Sequence, residues 1–138
     1  MRPASRPGGR SSTGRRPGTV RRRRAERRGR LAEWLCLWHL RLRGWHIVAR
    51  GWRCPAGEID IVARRRAVLA VIEVKSRAEF AAAANALAPR QRRRIARATE
   101  ALLTARPDLA GLDVRFDLML VAPRRLPRHW RDAWRTDG

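Results

Sequence analysis

Lysine is almost missing from this chain. Of its 33 basic residues only Lys75 is a lysine; the rest are arginine. Acids are scarce as well, 12 in 138 residues, which leaves a formal net charge of +21. Cysteine occurs twice, at Cys36 and Cys54, too few for a disulfide framework. No apolar run approaches the roughly eighteen residues that a membrane-spanning helix needs. No hydrophobic secretory segment stands ahead of the cysteines, so a cytoplasmic chain with no membrane partner is expected. An Arg- and Ser-rich, acid-poor start also fits an organellar transit peptide, but residues 1–24 lack the apolar residues for an amphipathic face.

What is present is positive charge. Residues 1–30 carry 12 basic residues against Glu26 alone, and residues 31–138 carry 21 against 11 acids. The second stretch keeps a net +10 without its basic arm, enough to attract polyanions. Phosphate backbones are the expected partner, bound in a salt-sensitive way through counterion release, with DNA favoured over RNA. Compositional drift in a G+C-rich genome accounts equally well for arginine in place of lysine. It does not account for the excess of positive over negative charge.

The length suits one domain with one core. Residues 1–24 hold Arg, Gly, Pro, Ser and Thr with little to bury and are expected to form a disordered basic arm. A domain over 25–122 and a C-terminal tail over 123–138 follow. Leu31, Trp34, Leu35, Trp38 and Leu42 recur at helical spacing and predict a helix from Ala25 to Leu42 with that stripe inward. Trp45–Arg50 reads as a strand, 51–57 as a loop, and 58–63 and 68–75 as an antiparallel pair joined by the turn Arg64-Arg65-Arg66. Pro89–Ala105 reads as a helix with Ile95, Ala98, Leu102 and Ala105 on its core side, and Val114–Val121 as a strand reached by a parallel crossover. The fold class is α/β, in the order αβββαβ, a mixed sheet flanked by helices.

Alternation puts Glu58 and Asp60 on one face of their strand and Glu73 and Lys75 on one face of the next. If the hairpin brings Asp60 near Glu73, two carboxylates converge in a half-buried place, where they repel each other and are costly to bury. A divalent cation resolves both problems. Mg²⁺, or Mn²⁺ in its place, takes hard oxygen ligands and keeps water and room for a phosphate oxygen. Lys75 is positioned to orient or deprotonate an attacking water, because a lysine, unlike an arginine, can lose its proton when partly buried. The alternative is a Glu73–Lys75 ion pair on a solvent face with Asp60 beside an arginine.

The segments Gly57-Glu58-Ile59-Asp60-Ile61-Val62-Ala63 and Ala70-Val71-Ile72-Glu73-Val74-Lys75-Ser76-Arg77 resemble the signature of the YraN-like family of uncharacterised bacterial proteins. Gly29-Arg30-Leu31-Ala32-Glu33 and Arg115-Phe116-Asp117-Leu118 resemble its first helix and last strand. That family is similar to restriction endonucleases and archaeal Holliday-junction resolvases, the PD-(D/E)xK nucleases. The resemblance implies Asp60 and Glu73 as metal ligands, Lys75 as the catalytic lysine and Glu33 as a further acidic site residue. Ile59-Asp60 replaces the usual Pro-Asp, and Arg90-Gln91 stands where the family tends to have Lys-Gln, so Gln91 is a site or DNA contact.

Arg90, Arg92, Arg93 and Arg94, with the Arg64-Arg65-Arg66 turn, are the candidate phosphate contacts. Cys36, His39, His46 and Cys54 lack the regular pairing of a zinc site and read as core cysteine and surface histidine. Trp45 and Trp52 read as core rather than as base-stacking platforms. The expected function is a Mg-dependent endonuclease site on a nucleic-acid-binding domain, monomeric or homodimeric. A non-catalytic DNA- or RNA-binding module of the same fold is the alternative.

Overall fold

A computed structural model of the chain describes residues 17–135, with side chains described from Gly29 onward. Most of the expected basic arm, residues 1–16, lies outside the described residues. Helix α1 (Pro17–Leu42) begins at Pro17 rather than Ala25. Arginine propagates a helix nearly as well as alanine, so Arg21–Arg24 offer no reason to stop it.

Strands β1 (His46–Cys54), β2 (Gly57–Arg65) and β3 (Val68–Ser76) form an antiparallel meander. Ser76 then caps a short helix, α2 (Arg77–Ala82), by accepting the Glu79 N–H at 3.0 Å, which ends β3 just after Lys75. Helix α3 (Pro89–Ala105) opens on a first-turn proline and completes the crossover to β4 (Asp113–Val121), which runs parallel to β3. Strand β5 (Arg128–Trp134) pairs antiparallel with β4, giving a five-stranded sheet in the order β1-β2-β3-β4-β5. The α/β class, the antiparallel hairpin and the parallel crossover are as the sequence predicts. The tail reading of 123–138 is corrected: its tryptophans belong to β5, where same-face residues recur in even steps. The loop expected at 51–57 shrinks to the turn after Cys54, because β1 continues through Gly51 in a left-handed conformation (φ +57°).

Each face of the sheet has its own apolar layer. On one, Ile95, Ala98 and Leu102 of α3 pack on Val62, Leu69, Val71, Phe116 and Leu118. Ala105, expected beside them, is exposed. On the other, Cys36, Leu37 and Leu40 of α1 pack on Trp45, Ile61, Ala63, Ala70, Ile72 and Met119. The stripe predicted to face inward instead faces solvent: Leu31 is 58%, Trp34 53%, Trp38 46% and Leu42 79% exposed. Residues 31–42 are apolar on two sides of the helix. The sheet meets the slimmer side, where Ala63 and Ala70 allow close approach, and Trp45 fills the remaining space. Trp45 is buried and Trp52 packs on the α3-side layer, as expected for core tryptophans.

Candidate functional site

The β2–β3 ladder pairs Arg65 with Val68 and runs inward to Ile61 and Ile72, where it ends. One residue further, the Asp60 side chain takes over: its Oδ2 accepts the Val74 backbone N–H at 2.8 Å. The two strands part at this point without leaving that amide unpaired. Glu73, only 8% exposed, lies at the parting. Its Oε1 accepts from Gln91 Nε2 of α3 at 2.7 Å and lies 3.7 Å from Lys75 Nζ. The ammonium is also 3.9 Å from Glu79 Oε2 of α2. Gln91 reaches Glu73 because α3 passes close over β2: a Cβ at Gly57 would lie 3.4 Å from the Arg94 backbone oxygen.

The Asp60 and Glu73 carboxyl groups are close enough to share a proton. Burial, and after it the charge of Asp60, push Glu73 up to about 8 against the pull of Lys75. Burial also raises Asp60, opposed by the Val74 N–H. The pair is therefore short of positive charge. One oxygen of Asp60 is committed to Val74 and one of Glu73 to Gln91, which leaves each with a second carboxylate oxygen. That is a hard-oxygen donor set of the kind a small divalent cation accepts while keeping its waters, so the residues fit one. Among the described residues no third His, Cys, Asp or Glu joins them within reach of one ion.

The other candidate residues fall in different places. Glu33 on α1 feels the charges of Asp60 and Glu58, and burial followed by those charges raises its carboxyl, yet it does not complete a three-carboxylate cluster. Glu58, which shares a strand with Asp60, turns out to Arg53 at 3.3 Å. Arg90, Arg93 and Arg94 are exposed on the first turns of α3, while Arg92 is half-buried and donates to the Leu87 carbonyl at 3.0 Å. The turn expected at Arg64-Arg65-Arg66 is shorter: Arg64 and Arg65 end β2 and only Arg66 enters the turn, all three at the opposite end of the hairpin, roughly 16 Å along the strands from Asp60. Arg65 there donates to the Arg43 carbonyl and stacks over Trp45 at 4.6 Å.

Residues 32–121 match the uncharacterised protein family UPF0102. This chain belongs to that family. A UPF0102 protein of Parvibaculum lavamentivorans is 53% identical over 111 residues, 80% of this chain and 84% of the relative. One of Paramagnetospirillum magneticum is 50% identical over 117 residues, 82% of this chain and 91% of the relative. The span matched to UPF0102 contains Glu33, Asp60, Glu73, Lys75 and Gln91, and it ends at Val121, before β5.

Two features of this UPF0102 chain escape a reading of its sequence. Asp117, fully buried on β4, is held by Arg115 at 2.8 and 2.9 Å, by His129 Nε2 of β5 at 2.7 Å and by the Asp132 N–H at 3.0 Å. Burial alone would raise its carboxyl, but these bonds, His129 foremost, hold it at about 2. The sequence signals were an aspartate two residues after an arginine in a mostly apolar strand and the family likeness of Arg115–Leu118, while the partners His129 and Asp132 lay in the segment taken for a tail. The second feature is His39: expected at the surface, it is buried with its Nδ1 3.1 Å from Arg43 Nη1, and burial lowers its pKa. Cys36 is buried and pushed up to about 12 by burial and then by Asp60 and Glu33, as expected of a core cysteine.

Proposed function

We propose that this protein binds nucleic acid and hydrolyses phosphodiester bonds at the Asp60–Glu73–Lys75 site with the help of Mg²⁺ or Mn²⁺, as an endonuclease acting on DNA. The observation that carries this reading is the convergence of two buried carboxyl groups, both raised above their usual range, and an amine where β2 and β3 part. Asp60 and Glu73 would hold the cation through the oxygens not given to Val74 and Gln91. When bound, it would supply charge neutralisation of the phosphate and acidify a water. Val74 fixes the Asp60 carboxylate, and Gln91 fixes that of Glu73, so both are set before substrate arrives. Lys75 orients the water that attacks phosphorus, and the displaced oxygen leaves as an alcohol. Arg90, Arg93 and Arg94 lie on the same helix as Gln91 and grip the flanking backbone, giving salt-sensitive affinity.

A second reading, a binding module that keeps the fold without turnover, is favoured by one fact: two carboxylates converge and no third joins them among the described residues. The experiment that separates the two is cleavage of branched, single-stranded and linear duplex DNA in Mg²⁺ or Mn²⁺. Cleavage lost in Asp60→Ala and Lys75→Ala with binding retained supports the enzyme. Tight binding by the unaltered protein with no cleavage of any substrate selects the module.

A further inference from the structure

On the α3 side of the sheet, a line of cross-strand neighbours leads away from Glu73 of the acidic pair. Glu73 lies beside Leu118 on β4, and Leu118 beside Trp130 on β5. Neighbouring strands are about 4.8 Å apart, so Trp130 stands roughly 10 Å from Glu73 on the same face. A cavity of about 160 Å³ opens there. Phe80, Leu87, Leu118, Trp130 and Trp134 wall it, and Asn85 and Arg92 give it polar groups.

Its chemistry is that of a stacking site. Trp130 is 44% exposed, its ring edge-to-face with Phe80 at 5.7 Å and with the Arg128 guanidinium 5.6 Å from its centroid. Arg92 is steadied by its bond to the Leu87 carbonyl, and it follows Gln91, the residue that holds Glu73. Ala84 and Asn85 stand in consecutive left-handed conformations, φ 56° and 60°, which turn the α2–α3 connection sharply at the cavity's rim. A cavity of about 150 Å³ accommodates benzene, so this one suits a single six-membered ring rather than a fused pair. Aromatic walls with a guanidinium beside them, on a strongly basic protein, match a flat, polar-edged ring carried on a polyanion.

We infer that this cavity takes an unpaired pyrimidine base from the strand engaged at the Asp60–Glu73 site, an inference that rests on the nucleic-acid function proposed above. A paired base must first be unstacked and unpaired, so a base that is already free is the preferred guest. The substrate class is then nucleic acid carrying an unpaired pyrimidine, with Trp130 as the stacking platform and Arg92 and Asn85 at the ring's polar edge.

The test is fluorescence anisotropy on a fully paired DNA duplex, the same duplex with a one-thymine bulge, and the same with an abasic residue in the bulge. An RNA duplex with a uracil bulge and its abasic counterpart distinguish the two backbones, and a preference on either supports the inference. The bulged base is expected to tighten binding about tenfold over the abasic bulge. Trp130→Ala brings that ratio to one, and Trp130→Phe, which keeps an aromatic face, retains most of it. A 5-iodouracil in the bulge crosslinks to Trp130 or Phe80 of the unaltered protein. Equal affinity for bulged and abasic duplexes, or a crosslink mapped elsewhere, overturns the cavity's role while leaving the nucleic-acid reading intact. No binding to any of the probes overturns both.

Discussion

The Asp60 carboxylate accepts the Val74 backbone N–H at 2.8 Å, one residue beyond the last β2–β3 pair. A side chain here replaces a rung of the ladder, so two strands diverge without an orphaned amide. The same device recurs where β4 meets β5. The register slips between Phe116 and Leu118, and Asp117 Oδ1 accepts the Asp132 N–H at 3.0 Å. The two aspartates have opposite electrostatic fates. Asp117 has Arg115 and His129 for company and is held low, whereas burial raises Asp60 against the pull of the Val74 N–H. A buried acid left short of counter-charge is a candidate functional group, and it is what the metal proposal rests on.

Asp60→Asn and Asp60→Ala separate the two roles of that residue. Asparagine keeps a carbonyl oxygen for Val74 and removes the charge. Its fold should persist, cleavage should be lost, and Glu73 should titrate well below about 8 because a leading cause of its elevation is gone. Alanine also strands the Val74 N–H and should be less stable than the asparagine variant by about 1–3 kcal/mol. Urea melts of the two variants and carboxyl-carbon NMR of Glu73 read these effects. A Glu73 titration unmoved in Asp60→Asn would contradict the coupling.

The pH dependence of stability should carry the mark of Glu73. Its pKa is raised from 4.5 to about 8 on folding, so between those values the native state binds more protons than the unfolded chain. Its contribution is therefore full below pH 4.5, declines as pH rises toward 8 and is flat beyond. Glu73→Gln should abolish this decline and be the more stable protein at pH 8. Mg²⁺ or Mn²⁺ should raise the melting temperature of the unaltered protein more at pH 8 than at pH 6.5, because fewer protons need be displaced from Glu73 there. Calorimetry at pH 6.5 in buffers of different ionisation enthalpy should detect proton release on metal binding. A melting temperature indifferent to either cation in all conditions would count against the metal proposal.

Asp117 should show the opposite slope. Its pKa is depressed from 3.8 to about 2, so its stabilisation is complete above 3.8 and disappears as pH falls through 2. Asp117→Ala leaves Arg115, His129 and the Asp132 N–H without their common acceptor and should cost roughly 3 kcal/mol or more. The loss should concentrate on β5, whose pairing to β4 depends on that carboxylate at the bulge. Hydrogen exchange should therefore quicken in 128–134 ahead of the other strands. Uniform quickening across the sheet would show that Asp117 is not a local clasp.

The strands around the site were legible in the sequence because Ile72 and Val74 alternate with Glu73 and Lys75, and a short turn forces the hairpin. The approach of Asp60 to Glu73 was conditional on the register, which the structure sets with Ile61 opposite Ile72. Gln91 came from resemblance alone, since no periodicity says which α3 residue meets a particular strand. β5 went unread because Pro123, Pro127 and a run of arginines look like a tail, and because its reason to form is a buried aspartate on another strand. In α1 the periodicity was read correctly and its orientation was not. Leu31, Trp34, Leu35, Trp38 and Leu42 do form a stripe, but a helix with two apolar sides leaves the choice to the shape of the sheet beneath.

That choice is measurable. Leu37 and Leu40 are enclosed between α1 and the sheet, so Leu37→Ala or Leu40→Ala should each cost about 2–5 kcal/mol through lost burial and the cavity left behind. Trp34 and Trp38 touch each other edge-to-face at 6.1 Å and are otherwise half open to water. Trp34→Gln or Trp38→Gln should therefore change the unfolding free energy by less than about 1 kcal/mol. Denaturant melts of the four variants at low protein concentration decide the matter. If the tryptophan variants prove the costlier pair, α1 is rotated from the orientation described, and the charges that Asp60 meets from that helix must be reassigned.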